Sequence, residues 1–167
     1  PQRSISNVLW GEVLLYEMTQ EEKYKKAADK WAKLLVEGQN EDGSWADTYN
    51  PLDKRWAGKA SGLYIACYTL PALINYHILT KDEAVGNAII KAAEYLMAND
   101  KYKGYFDSVA YSFWLTGDNK YRAFLEGYLA EFVSWRNEGQ DDLHRGIVFD
   151  KLYYQRPNEY LYSVPFA

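Results

Sequence analysis

A chain of 167 residues has room for one domain with a substantial core, and its 48% apolar content excludes a disordered segment. A net charge of −4 with no long basic run argues against nucleic acid or anionic membrane as partners, and no apolar stretch is long enough to span a bilayer without polar interruption. One cysteine, Cys67, rules out an internal disulfide and, with only two histidines, leaves too few ligands for a His/Cys metal cluster; no cofactor is expected, and the compartment stays open between the cytoplasm and a secreted or periplasmic location with the signal removed.

The chain opens on Pro1 with no initiator Met, which reads as a processed, trimmed or truncated start. Residues 8–18 are apolar nearly all round, the pattern of a helix buried on most sides, with Ser6 as its expected N-cap. The phrase Met18-Thr19-Gln20-Glu21-Glu22-Lys23-Tyr24 follows, and it recurs as Leu79-Thr80-Lys81-Asp82-Glu83-Ala84-Val85 and as Leu115-Thr116-Gly117-Asp118-Asn119-Lys120-Tyr121. Each copy ends an apolar segment and starts an amphipathic one. The Thr or the acidic residue is therefore expected to accept from the orphan N–H groups of the new helix, where negative charge also suits the dipole.

After the first copy, Tyr24, Ala27, Ala28, Trp31, Leu34 and Leu35 recur at helical spacing opposite a lysine-rich face, with Gly38 as the expected C-cap. Residues 38–59 read as a long return. Ser61 then caps a second apolar helix over residues 63–79, with a kink expected at Pro71. The second copy of the phrase starts a helix carrying Val85, Ala88, Ile89, Ala92 and Leu96 on one face. A return over residues 98–107 leads to Ser108, the expected cap of a third apolar helix, and the third copy starts one carrying Tyr121, Phe124, Leu125, Tyr128 and Phe132. The tail over residues 149–167 is rich in Tyr and broken by Pro157 and Pro165, so it is no clean helix.

The three amphipathic helices share one register, in which Tyr24, Val85 and Tyr121 correspond. The expected fold is all-α, a single domain of antiparallel helix hairpins with inner apolar and outer amphipathic members, each hairpin burying its face against its neighbours. Chain direction puts the tight Thr phrases at one end of such a stack. The long returns and the N-termini of the inner helices lie at the other end, which is where function is expected.

Leu34-Leu35, Gln39 and Asp42-Gly43-Ser44-Trp45 together resemble the Gln-x-Asp-Gly-x-Trp turn of α/α-toroid proteins: six-hairpin glycosidases, polysaccharide lyases and terpenoid cyclases. The phrase at residues 115–121 is similar to one in the carbohydrate-active toroids. Lys59-Ala60-Ser61-Gly62-Leu63 is similar to their Glu-x-Ser-x segment, with Lys59 standing where Glu is usual. The resemblance covers most of residues 8–135 as architecture and implies part or all of a toroid. A ring of six hairpins needs more than about 220 residues, so further hairpins or a second copy are expected to complete it.

The activity implied is hydrolysis or elimination on a polysaccharide or oligosaccharide, with uronic acid as a candidate unit. Glycoside hydrolysis needs two carboxyl groups, one with a raised pKa, and Asp107 and Asp47 are the candidates. Trp45, Tyr49, Arg55, Trp56, Tyr105, Tyr111, His144 and Arg145 are the candidate substrate contacts, since aromatic faces hold sugar rings and cations hold uronate; Trp45 also reads as a brace that folds its turn back on the preceding helix. His77 reads as a core histidine. The rival readings are a non-catalytic helical-repeat binding module and a terpenoid-cyclase-like domain, though no Asp-rich ionisation motif supports the latter.

Overall fold

The computed structural model describes residues 1–99 and 107–134, the last four by backbone alone. The chain divides into two compact units, Pro1–Tyr102 and Lys103–Ala167, each described by itself. The described residues are mostly helical with one small sheet, and no helix among them is long and apolar enough to cross a membrane.

In the first unit α1 (Gln2–Thr19) packs on α2 (Glu22–Glu37). A two-stranded antiparallel sheet follows, β1 (Ala46–Asn50) and β2 (Arg55–Ala60), with β1 against α1. The second apolar stretch is α3 (Gly62–Tyr64), a π-helical segment (Ile65–Thr69) and α4 (Leu70–Thr80); α4 packs on α1 and on α5 (Glu83–Ala98). The core lies between these helices and is filled by Leu9, Val13, Leu35, Ile65, Leu73 and Ile89, all without exposed surface. On α5 the expected face is the buried one: Val85, Ala88, Ile89, Ala92 and Leu96.

The π-helical segment is where a kink at Pro71 was expected. A proline has no N–H to donate and its ring crowds the carbonyl four residues back. Widening the preceding turn relieves that crowding, and Leu70 donates to the carbonyl of Ile65, five residues back.

Two of the three expected caps move. Ser61 accepts from the N–H of Tyr64 as expected. Ser6 instead lies inside α1, because that helix starts at Gln2. Its hydroxyl donates to the Gln2 carbonyl and bonds Thr69 Oγ1 at 2.9 Å, while the Gln2 amide donates to the same Thr69 hydroxyl. This buried trio pairs both hydroxyls and the Gln2 amide N–H, which an apolar interior would otherwise penalise, while Gln2 Oε1 is buried with no hydrogen-bond partner. Ser108 lies one residue inside α6 (Asp107–Thr116), and its N–H donates to Asp107 Oδ1. Gly38 does end α2, but with φ −90° and not in the left-handed region. Its role is closeness: a Cβ there would sit on the Trp56 indole.

In the second unit α6 packs on α7 (Asn119–Ser134), with Ser108, Val109, Ser112, Tyr121 and Tyr128 buried.

The three Thr phrases fold into one joint, built the same way each time. Thr19, Thr80 and Thr116 end their helices, and each hydroxyl donates to the carbonyl four residues back: Leu15, Tyr76 and Ser112. The next residue is left-handed in each copy, Gln20 and Lys81 at φ 58° and Gly117 at φ 67°. Its N–H reaches the carbonyl of Tyr16, His77 or Phe113 at 2.8 Å. Each Thr hydroxyl then accepts the N–H of the following acidic residue. The Thr therefore closes the outgoing helix more than it opens the new one. Opening falls to the acid: Asp82 accepts from Ala84 and Val85, and Asp118 from Lys120, whereas Glu21 makes no side-chain cap.

Candidate functional site

At the end of the first unit remote from the Thr19 and Thr80 joints, the chain leaves α2 in a tightly bonded turn. Asn40 N–H donates to Ser44 O, Gly43 N–H to Asn40 O, and Asp42 Oδ1 accepts from both the N–H and the hydroxyl of Ser44. Asp42 is thus a turn residue. Gly43 takes φ 88°, and a Cβ there would strike the backbone of Lys91 on α5, so only glycine meets both demands.

The Gln39 amide donates to Gly43 O at 3.0 Å within the turn and to Ala88 O at 2.8 Å on α5. Trp45 has no exposed surface and donates its indole N–H to Leu35 O at 2.6 Å. The expected ligand contact at Trp45 is therefore corrected: a ring enclosed on all sides braces the turn against α2 and offers no face to a sugar.

Past Trp45 the expected loop is a hairpin. Asn50 Oδ1 accepts from Leu52 N–H to start the reversal, and Lys54 takes φ 54° to finish it. Tyr49 stands directly opposite Trp56, which puts both rings on one face with centroids 5.2 Å apart. Asn50 stands opposite Arg55, so alternation sets Arg55 on the other face. Tyr49 and Trp56 are half-buried and Arg55 is exposed. The register slips between Ala46 and Thr48, where Gly58 at φ 93° leaves room for the Asp47 carboxylate. Asp47 Oδ1 also accepts from the Thr48 hydroxyl.

A second aromatic grouping was not foreseen in the sequence. Arg3, on the first turn of α1, holds its guanidinium 5.6 Å from the centre of the Tyr64 ring, and Tyr64 meets Tyr68 edge-on at 6.1 Å. The i,i+4 spacing of the two tyrosines on a helix was the available signal. All three belong to the helix starts at the long-connection end.

In the second unit Asp107 opens α6. The protein mass around its carboxyl pushes the pKa up, against the lowering effect of the Ser108 N–H, although the residue keeps exposed surface. Tyr111, one turn on, is half-buried, its hydroxyl pKa is raised by desolvation, and its ring lies 5.3 Å from Trp114. Tyr105, His144 and Arg145 lie outside the described residues.

One concave surface of the first unit lies elsewhere. An open groove of about 470 Å³ is lined by Glu41, Asp42, Lys91, Glu94 and Tyr95, with Ala98 and Asn99 at its end. Three carboxylates against one ammonium make it a poor seat for an anionic sugar. Among the described residues no group of three or more His, Cys, Asp or Glu could hold a metal ion. His77 is a buried core residue, as read from the sequence, beside Gly86 of α5, and burial, then Lys81, lowers its pKa. Comparison with known proteins adds no relative: no family model matches the chain, and neither a curated protein nor a solved structure does.

Proposed function

We propose that the protein is a carbohydrate-active member of the α/α-toroid type. In this reading its helix hairpins form part of a ring, and it acts on a polysaccharide or oligosaccharide, uronic acid included, by hydrolysis or elimination. The observation that carries it is the Arg3–Tyr64–Tyr68 grouping: a guanidinium over one half-buried tyrosine ring, with a second tyrosine edge-on beside it, puts a cation for a carboxylate next to aromatic surface for a sugar ring. Tyr49 and Trp56 supply a second stacking surface on the same unit. Asp107 is the proposed acid, since burial raises its pKa and so favours the protonated form that can donate to a leaving oxygen or a double bond. Within the first unit Asp47 is the candidate carboxyl, and within the second Tyr111 is an accessory contact one turn from Asp107.

The test is a screen of unsaturated uronides and acidic polysaccharides, reading both turnover and binding. Asp107→Asn is expected to lower turnover by 10²-fold or more, on the order of a lost general acid, while retaining binding. Arg3→Ala should weaken binding of the acidic ligand more than of its neutral analogue. A screen with neither turnover nor binding removes the proposal.

One observation favours a binding-only reading. Asp47 is packed into the strand irregularity against Gly58 and Thr48, a bracing role that needs no chemistry. That reading expects Asp47→Ala and Asp107→Ala to leave ligand binding intact, with no turnover to lose.

A further inference from the structure

The common register of the Thr phrases places Val8, Gly11 and Leu15 of α1 where Thr69, Ala72 and Tyr76 stand in the second apolar helix. Those three residues are the stripe by which that helix meets the first helix pair. Thr69 bonds Gln2 and Ser6 of α1, Tyr76 donates to Asp29 of α2 at 2.8 Å, and none of the three is more than 5% exposed. The matching stripe on α1 is bare. Val8 is 41% and Leu15 40% exposed, Leu14 and Met18 beside them are 45% and 81% exposed, and a Cβ on Gly11 would meet nothing. The stripe carries no charge. Helix α1 is thus apolar on two opposite sides, and among the described residues only one of them is covered.

The surface that suits this stripe is present on α6 and α7. Ala110 and Leu129 occupy the positions of Val13 and Ala32 in the first pair. Val13 and Ala32 are buried, whereas Ala110 is exposed and Leu129 is 59% exposed. Beside them Arg122 pairs with Glu126 at 2.8 Å, at the positions where Lys25 pairs with Asp29, the carboxylate that receives Tyr76.

We propose that the bare face of α1 docks the α6–α7 hairpin of a second copy of this chain, at the positions by which α4 meets α1 and α2 within one, with apolar packing by Val8 and Leu15 in place of the hydrogen bonds of Thr69 and Tyr76. Such a contact joins two different patches, one from each copy, and Gly11 lets the helices approach closely. The proposal rests on the shared helix register and not on the carbohydrate reading, so a failed substrate screen leaves it standing.

Sedimentation velocity over a concentration series tests it. Wild-type chain is expected to associate, and Leu15→Asp and Leu129→Asp are each expected to return it to monomer with unchanged circular dichroism and Tm, as suits exposed positions. A second measurement fixes the pairing: Gly11→Cys chain mixed with Ala110→Cys chain, both in a Cys67→Ala background that keeps the wild-type spectrum, is expected to form 11–110 cross-links. A wild-type chain that stays monomeric overturns the proposal. So do associated Asp variants, which place the contact elsewhere, and cross-links of 11 to 11 alone, which mean that α1 pairs with itself.

Discussion

The two ends of the first unit are held by different kinds of bond. Within the joints themselves the hydrogen bonds close within a few residues, so Thr19 and Thr80 each build their turn from their own neighbourhood, although Tyr76, one turn before Thr80, also ties α4 to Asp29 of α2. At the long-connection end two ties span the chain, Gln39 to Ala88 and Gln2 to Thr69, and the Trp45 ring is buried under the turn. Local bonds can be lost one at a time at modest cost, whereas the long ties carry the packing of whole helices.

That difference can be broken most sharply at Trp45. Replacement by Ala removes a fully enclosed ring and its bond to Leu35, and is expected to cost about 3–5 kcal/mol in urea unfolding. A loss below about 1 kcal/mol would erase the contrast between the ends. At the joints the effect should be smaller and graded by the cap. Asp82→Ala is expected to cost about 1 kcal/mol, since two N–H groups lose their acceptor, and Glu21→Ala no more than about 0.5 kcal/mol, since that side chain caps nothing. Equal losses would mean that the acid works through charge alone.

The smallest expected effect is pH-dependent and sits at the joint end. Burial lowers the His77 pKa, so between the folded and unfolded values the unfolded chain binds more protons and stability rises with pH. The contribution is complete above the unfolded value of about 6.5 and is lost as pH falls through the lowered folded value. Melting at about pH 7.5 and about pH 5.5 should show a drop in Tm that His77→Gln reduces.

The joints were legible in the sequence because everything they need lies in six or seven residues: a Thr, a left-handed position and an acid. The helix faces were legible for the same reason, as Val85 through Leu96 show. The Asp-Gly turn was read correctly, and Trp45 carried both a bracing and a ligand reading because the choice depends on the helices around it, which bury the ring. The β1–β2 pair stayed hidden because Ala46–Asn50 is too short for a clear alternation and is followed at once by Pro51. Ser6 was read as a cap because its partner, Thr69, stands far along the chain. Arg3 drew no notice in the sequence, since only the fold brings it to Tyr64.

The two bonds of Gln39 carry a kinetic meaning. One amide closes its own turn and also latches onto α5, 49 residues further on. A chain emerging from its N-terminus can form the α1–α2 joint as soon as both helices exist, but it cannot complete the Gln39 latch until α5 has been made and docked. The turn is therefore a late-setting clasp, and its closure reports that the second pair of helices has arrived.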